Sequence, residues 1–138
     1  MENEFWTEVI ESVVPYHKHL GIQVVSLGQG HSTLKLPYQK HFIGDTQRPA
    51  LHGGVISTML DAAGGAAAMS LMSQEDRIST IDLRVDYLLP AEIKDLFVEA
   101  KVIREGNRVI ATSMKAYHED SEQIVAEGRG VYNLRRSQ

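Results

Sequence analysis

Apolar positions along the chain follow two different spacings. Phe5, Trp6, Val9, Ile10, Val13 and Val14 recur at helical spacing, with Glu4, Glu8 and Glu11 between them, which predicts a short amphipathic helix over 3–14. Pro15 starts a second short turn over 16–20, which Gly21 closes. Residues 22–27 and 32–36 read as two strands of a hairpin around Gly28-Gln29-Gly30. A loop over 37–49, punctuated by Gly44, Asp45 and Pro49, leads into a long helix predicted over roughly 53–72. The period then drops to two. Over 79–88, Ile81, Leu83, Val85 and Tyr87 fall on one face and Thr80, Asp82, Arg84 and Asp86 on the other, until Pro90. Residues 96–104 and 108–118 form a second hairpin around Glu105-Gly106-Asn107, and 124–134 supplies a last strand after a polar turn at 119–122.

The long helix is the unusual element. From Leu51-His52-Gly53-Gly54 through Asp61 to Met69 it is apolar, slim and almost without a polar face, so it must be covered all round. A sheet laid on one side of it is not enough. Either the sheet curls about it or a second subunit covers the rest. Asp61 is the one carboxylate on this helix, and an unpaired buried charge costs several kcal/mol unless it has a partner or a purpose. Upstream, Gly53 and Gly54 stand where a helix start leaves backbone N–H groups free and aims its dipole at a negative oxygen.

Composition narrows the chemistry. With 138 residues the chain is expected to form a single domain over 1–138, with one core. The absence of cysteine excludes disulfides, thiol nucleophiles and zinc–thiolate sites. A net charge of -4, with no basic run longer than Arg135-Arg136, gives no reason to bind nucleic acid. The acidic start Met1-Glu2-Asn3-Glu4 is unlike a signal peptide, and Asp61 interrupts the longest apolar run, so no membrane span is expected. A cytoplasmic enzyme or binding domain is the expectation. Six histidines show no metal-ligand spacing with a carboxylate, and neither metal nor cofactor is expected.

The element order, Leu51-His52-Gly53-Gly54 and an aspartate nine residues after the histidine together resemble the hotdog-fold acyl-CoA thioesterases, nearest the PaaI-like (phenylacetate-pathway) branch. The resemblance runs from residues 16–21 through Tyr87-Leu88-Leu89-Pro90-Ala91 to Ala126-Glu127-Gly128. It implies an α+β hotdog fold, a long antiparallel sheet wrapped around one central helix. It also implies edge-to-edge dimers with active sites at the interface, and a dimer of dimers. The implied substrate is a small or medium acyl- or aryl-CoA. Carried over, the Gly53 N–H polarises the thioester carbonyl, with Gly54 beside it, and His52 shapes the turn. Asp61 is nucleophile or general base, and Thr80 matches the position of a water-orienting Ser or Thr. Where relatives place an amide residue before the histidine, this chain has Asp45 and Thr46, and an ionised Asp45 accepts hydrogen bonds but donates none.

Helix geometry bears on the shared site independently. Nine residues advance about 13.5 Å and turn about 900°, a net half turn, so His52 and Asp61 cannot touch one carbonyl within a subunit. A two-fold dimer with antiparallel central helices would bring each Gly53 turn to the partner's carboxylate. Other roles stand beside these. Asp61 as a structural residue would pair with Arg77 or Arg84, and His52 as a structural residue would only hold the turn. Gly64 and Gly65 allow close packing or open an acyl groove. Thr80 falls on the polar parity of its strand, which makes Ser79 an equal candidate. Arg104 and Arg108 flank the second hairpin, either against the phosphates of coenzyme A or as a solvated end. Two rival functions remain: a non-catalytic acyl-CoA-binding protein, and a 3-hydroxyacyl dehydratase using His41, to which His41-Phe42-Ile43-Gly44-Asp45 bears a faint likeness.

Overall fold

The computed structural model describes residues 2–137; Met1, the first residue of the acidic start, lies outside them. Helix α1 (Glu2–Glu8) runs into one π-helical turn (Val9–Val13), and α2 (Pro15–Leu20) follows. Strands β1 (Gln23–Gly28) and β2 (His31–Leu36) form the first hairpin. The expected loop contains a short antiparallel ladder, β3 (Ile43–Asp45) with β4 (Ala50–Leu51), two pieces too short to carry a period in the sequence. Helix α3 spans Gly53–Met69, ending three residues before the expected 72. Strands β5 (Arg77–Tyr87), β6 (Leu96–Glu105), β7 (Val109–Tyr117) and β8 (Ile124–Arg135) complete the chain.

Six strands make one antiparallel sheet in the order β1-β2-β6-β7-β8-β5, and α3 packs against every one of them. This is the hotdog architecture, and it decides how the apolar helix is covered: the sheet curls. Every residue from Ala62 to Ala68 is buried, and Ala62, Ala63, Ala66 and Ala67 share one core with Leu34, Leu36, Leu96, Val98, Met114 and Ala116 of the concave face. Each fully buried Leu or Val there contributes about 1.5–3 kcal/mol. Beyond one end of α3, Trp6 packs with Ala68, Met72, Ile110 and Leu134, and its indole N–H donates to the Met72 carbonyl at 3.3 Å. Among the described residues no helix is long and apolar enough to cross a membrane.

The strand β5 departs from strict alternation. Thr80 pairs with Tyr132 and Asp82 with Val131, so Ile81 is an extra residue, a β-bulge. The bulge reverses parity within the strand. Ile78 and Thr80 face the helix before it, Leu83 and Val85 after it, and Ile81 is left 57% exposed. The expectation that Ile81 faces the helix and Thr80 solvent is therefore corrected.

The two sheet edges are treated differently. Beside β1 lies the N-terminal helix, and Glu11 Oε2 accepts from the Val24 N–H at 2.7 Å. The outer edge of β5 has no such cover over its 11 residues, and Ile81, Tyr87, Leu88 and Leu89 are all at least 42% exposed on or just after it.

Close packing of α3 depends on Gly64. A Cβ there would meet the hydroxyl of Tyr132, Met114 Cε at 2.5 Å and Thr112 Oγ1 at 2.8 Å, whereas at Gly65 the nearest atom would be 3.8 Å away. Gly64→Ala is expected to cost about 1–3 kcal/mol through overpacking and Gly65→Ala far less. Thermal unfolding of the pair checks this; equal Tm values would contradict it.

Candidate active site

The start of α3 is built by its preceding ladder. The His52 N–H donates to the Phe42 carbonyl at 2.8 Å, and β3 lies so close that a Cβ on Gly44 would stand 2.6 Å from His52 Cα. His52 is the N-cap, extended at φ -60°, ψ 133°, and its Nδ1 accepts from the Gly54 N–H at 2.8 Å. That bond makes Nε2 the protonated nitrogen of the neutral ring. It also changes the expected donor pair: the Gly54 N–H is already spent on His52. The Gly53 N–H has no partner among the described residues and lies at the positive end of the helix. Tyr87 packs beneath it, its hydroxyl donating to the Gly53 carbonyl at 3.1 Å.

Asp61 lies on the part of α3 that the sheet leaves open. It is half-buried, not enclosed as the apolar run suggests, and shares the uncovered stripe with Gly54, Ser57 and Thr58. Thr80 Oγ1 donates to Asp61 Oδ1 at 3.0 Å. The Tyr132 hydroxyl lies 3.2 Å from the same oxygen and 3.0 Å from the Asp61 carbonyl, sharing one proton between them. Thr80 and Tyr132 are direct register partners on β5 and β8, so one rung of the sheet supplies both hydroxyls. Oδ2 has no partner among the described residues, and no cation lies within ion-pair distance; the expected structural pairing with Arg77 or Arg84 is not made.

Burial pushes the Tyr132 phenol far above its ordinary pKa, and the Asp61 charge and hydrogen bond push it the same way. It is therefore a permanent donor. His17, half-buried with Nδ1 at 3.0 Å from the Ile10 carbonyl, is held below its ordinary pKa by burial, against the pull of that hydrogen bond and of Asp61. Neither Tyr132 nor His17 stood out in the sequence. Tyr132 sits on an ordinary inward position of its strand, and only its register opposite Thr80 gives it a role.

The remaining candidates fall in several places. Ser79 pairs with Asn133 on the face away from the helix, so Thr80 and not Ser79 meets Asp61. Asp45 closes its own turn, accepting from the Gln47 and Arg48 N–H groups at 2.9 and 3.2 Å, and Thr46 beside it is exposed. Neither is brought to Asp61 within the chain. His41 lies on the surface, edge-on to Phe42 with ring centres 4.6 Å apart and 6.0 Å from His19. Arg104 is exposed beside a bulge in β6. Arg108 lines a shallow depression of about 560 Å³ with Asn107, Asn133, Arg135 and Arg136.

A long helix inside a curled six-stranded antiparallel sheet defines the hotdog class of fold. The thioesterase superfamily model matches residues 49–125, from the ladder before α3 to the start of β8. A Halobacterium salinarum protein bearing an esterase name is 34% identical, with 93% of this chain and 91% of that one covered. The medium/long-chain acyl-CoA thioesterase YigI of Salmonella typhimurium is 28% identical over 82% of this chain and 81% of its own. A thioesterase family protein from Silicibacter pomeroyi superposes with a TM-score of 0.87 at 26% identity, covering 98% of this chain and 99% of that one. The chain belongs to the thioesterase superfamily.

The tyrosine by Asp61 gives a pH signature. The folded chain keeps the Tyr132 proton above the ordinary phenol pKa of about 10, where the unfolded chain has lost it. The stability this confers is intact below about pH 10 and falls as pH rises beyond it. Spectrophotometric titration should show one tyrosine ionising only with alkaline unfolding, later than Tyr117, which burial pushes up to about 12. Tyr132→Phe should remove that last phase; its persistence would refute the assignment.

Proposed function

We propose that the protein hydrolyses acyl-CoA thioesters to free acid and coenzyme A, with each active site shared between two subunits. The observation that carries this is the state of Asp61: Oδ1 is fixed by Thr80 and Tyr132 while Oδ2 points free on the open stripe of α3. A carboxylate held by one oxygen and free at the other is placed to take a proton from water or to attack a carbonyl itself. The Gly53 N–H is the donor for the oxygen on which negative charge develops, a contribution of about 3–4 kcal/mol in comparable sites. His52 holds that turn by spending its Nδ1 on Gly54.

Gly53 and Asp61 are eight residues apart on one continuous helix, about 12 Å along its axis. A single thioester spans no such distance, so the donor and the carboxylate that act together come from different chains. The uncovered edge of β5, with Ile81 exposed at its bulge, supports edge-to-edge pairing that brings two α3 helices side by side. In the reaction, Asp61 Oδ2 takes a proton from a water oriented by the Thr80 side, and the water oxygen attacks the carbonyl carbon. The oxyanion forms at the partner's Gly53 N–H and collapses as the C–S bond breaks, with the proton passing to the departing thiolate. A covalent anhydride on Asp61 is the alternative first step, and both need the same carboxylate. The name of the YigI relative supports acyl chains over aryl groups as substrate. Arg108, beside Leu134 and two positions along the sheet from the Thr80–Tyr132 rung, is suited to the coenzyme A phosphates. His41 on the surface argues against the dehydratase reading.

Thiol release from a panel of acyl-CoA chain lengths tests the carboxylate. Asp61→Asn should lower kcat by about 10²–10⁴-fold with KM little changed. A non-catalytic acyl-CoA-binding protein would instead resist thermal unfolding in the presence of acyl-CoA and release no thiol from the wild type.

The donor has its own test. Gly53 is the first helical residue, and His52 already has the extended geometry that a following proline demands. Gly53→Pro should therefore delete the N–H, keep the helix and lower kcat by about 10²–10³-fold. Mixing and reassembling Gly53→Pro with Asp61→Asn should restore about a quarter of wild-type activity. Half of the random dimers are mixed, and each carries one intact site of two. A site confined to one chain would regain nothing.

A further inference from the structure

Tyr132 reaches Asp61 by lying down along its own strand. A Cβ on Gly130, two residues earlier on β8, would stand 2.7 Å from both Cε2 and the hydroxyl of Tyr132, and 2.9 Å from its Cζ. The ring therefore fills the place of the side chain that residue 130 lacks. Directly across from Gly130 on β7 is Thr112. Cross-strand Cβ positions are about 4.5–5.5 Å apart, which sets the Tyr132 oxygen beside the Thr112 side chain. Gly64 of α3 closes the same space from the helix side: a Cβ there would meet the Tyr132 hydroxyl and stand 2.8 Å from Thr112 Oγ1. Thr112 is fully buried, and its Oγ1 is the one buried side-chain polar atom without a hydrogen-bond partner among the described residues. A buried hydroxyl left idle costs free energy, and such a group calls for a reason.

We propose that Thr112 is a positioning residue for Asp61: its hydroxyl donates to the Tyr132 oxygen, which commits the single Tyr132 proton to Asp61. The direction follows from charge. An ionised carboxylate is a stronger acceptor than a neutral hydroxyl, so the Tyr132 proton goes to Asp61 and a Tyr132 lone pair is left for Thr112. The acidity of the phenol agrees with this placing. Burial, then the Asp61 charge, hold it far above its ordinary pKa, while the Thr112 hydroxyl and the Gly65 N–H, both facing its oxygen, pull the other way. Each bond in such a chain strengthens the next. The chain runs from Thr112 inside the sheet, through Tyr132, to Asp61 Oδ1 on the open stripe. It keeps Oδ1 occupied and so leaves Oδ2 as the free oxygen. Gly130 and Gly64 provide the space in which the two hydroxyls meet. The catalytic side of this inference rests on the hydrolysis proposed above; the hydrogen-bond chain does not.

A double-mutant cycle and Raman spectroscopy of the full chain test it. Thr112→Val, close to threonine in shape, should lower kcat for acyl-CoA hydrolysis by about 2–10-fold with KM unchanged, and Thr112→Ser should restore it. Tyr132→Phe should cost more, about 10–100-fold. Adding Thr112→Val to Tyr132→Phe should cost nothing further, because Thr112 acts only through the phenol. The spectra are taken as differences against the matching Tyr132→Phe proteins. There the Tyr132 Fermi doublet of wild type and Thr112→Ser should be that of a hydroxyl that both donates and accepts. In Thr112→Val it should shift toward that of a hydroxyl that only donates. Wild-type kcat in Thr112→Val, additive losses in the double variant, no rescue by serine, or an unmoved doublet would each overturn the proposal. If the wild type releases no thiol, the hydrolysis reading falls and the doublet alone decides the chain. If circular dichroism shows Thr112→Val unfolded, Thr112→Ala against Thr112→Ser makes the same comparison.

Discussion

A helix with almost no polar face has to be enclosed, and the arrangement of the other elements follows from how that is done. The Ala- and Gly-rich surface of α3 is thin enough for six strands to curl around it, and glycine at 64 lets Tyr132 reach under the helix axis. Close packing of this kind leaves little freedom: a methyl group in the wrong place is felt by three side chains at once. The same approach that enclosure demands delivers the Tyr132 hydroxyl to Asp61. Packing and site geometry are one constraint here.

Enclosure stops along one stripe, and the candidate chemistry lies where it stops. Asp61 does not carry the full penalty of a buried charge, because half-exposure and two hydroxyl donors on Oδ1 accommodate the anion. Its second oxygen stays unspent. At the helix start the first-turn donors are similarly sorted: Gly54 is capped by His52, and Gly53 is left open. The two ends of this stripe are alike, each holding one group satisfied and one available, about 12 Å apart.

The two edges of the sheet are finished differently. One edge of the sheet is covered by α1 with Glu11, while the other edge, β5, is bare and apolar at its bulge.

Much of this was legible in the residues alone. The periods of three to four and of two located α3 and every long strand to within a few residues, because burial of a face imposes those repeats directly. His52-Gly53-Gly54 and Asp61 stood out as a helix start and a lone carboxylate in an apolar run, both local signals. What depended on tertiary structure was whatever hangs on register. A single extra residue at Ile81 reversed the parity of β5, turned Thr80 toward Asp61 in place of Ser79, and set Tyr132 opposite it. Periodicity cannot register a bulge, because the residues on both sides still alternate. The two-residue β4, the spent N–H of Gly54 and the turn closed by Asp45 escaped for a related reason: each is fixed by which backbone lies alongside, not by the residues next in line. The sequence by itself determined that a slim apolar helix with one carboxylate must be wrapped; only the fold decided which hydroxyls would hold that carboxylate and which of its oxygens would be left free.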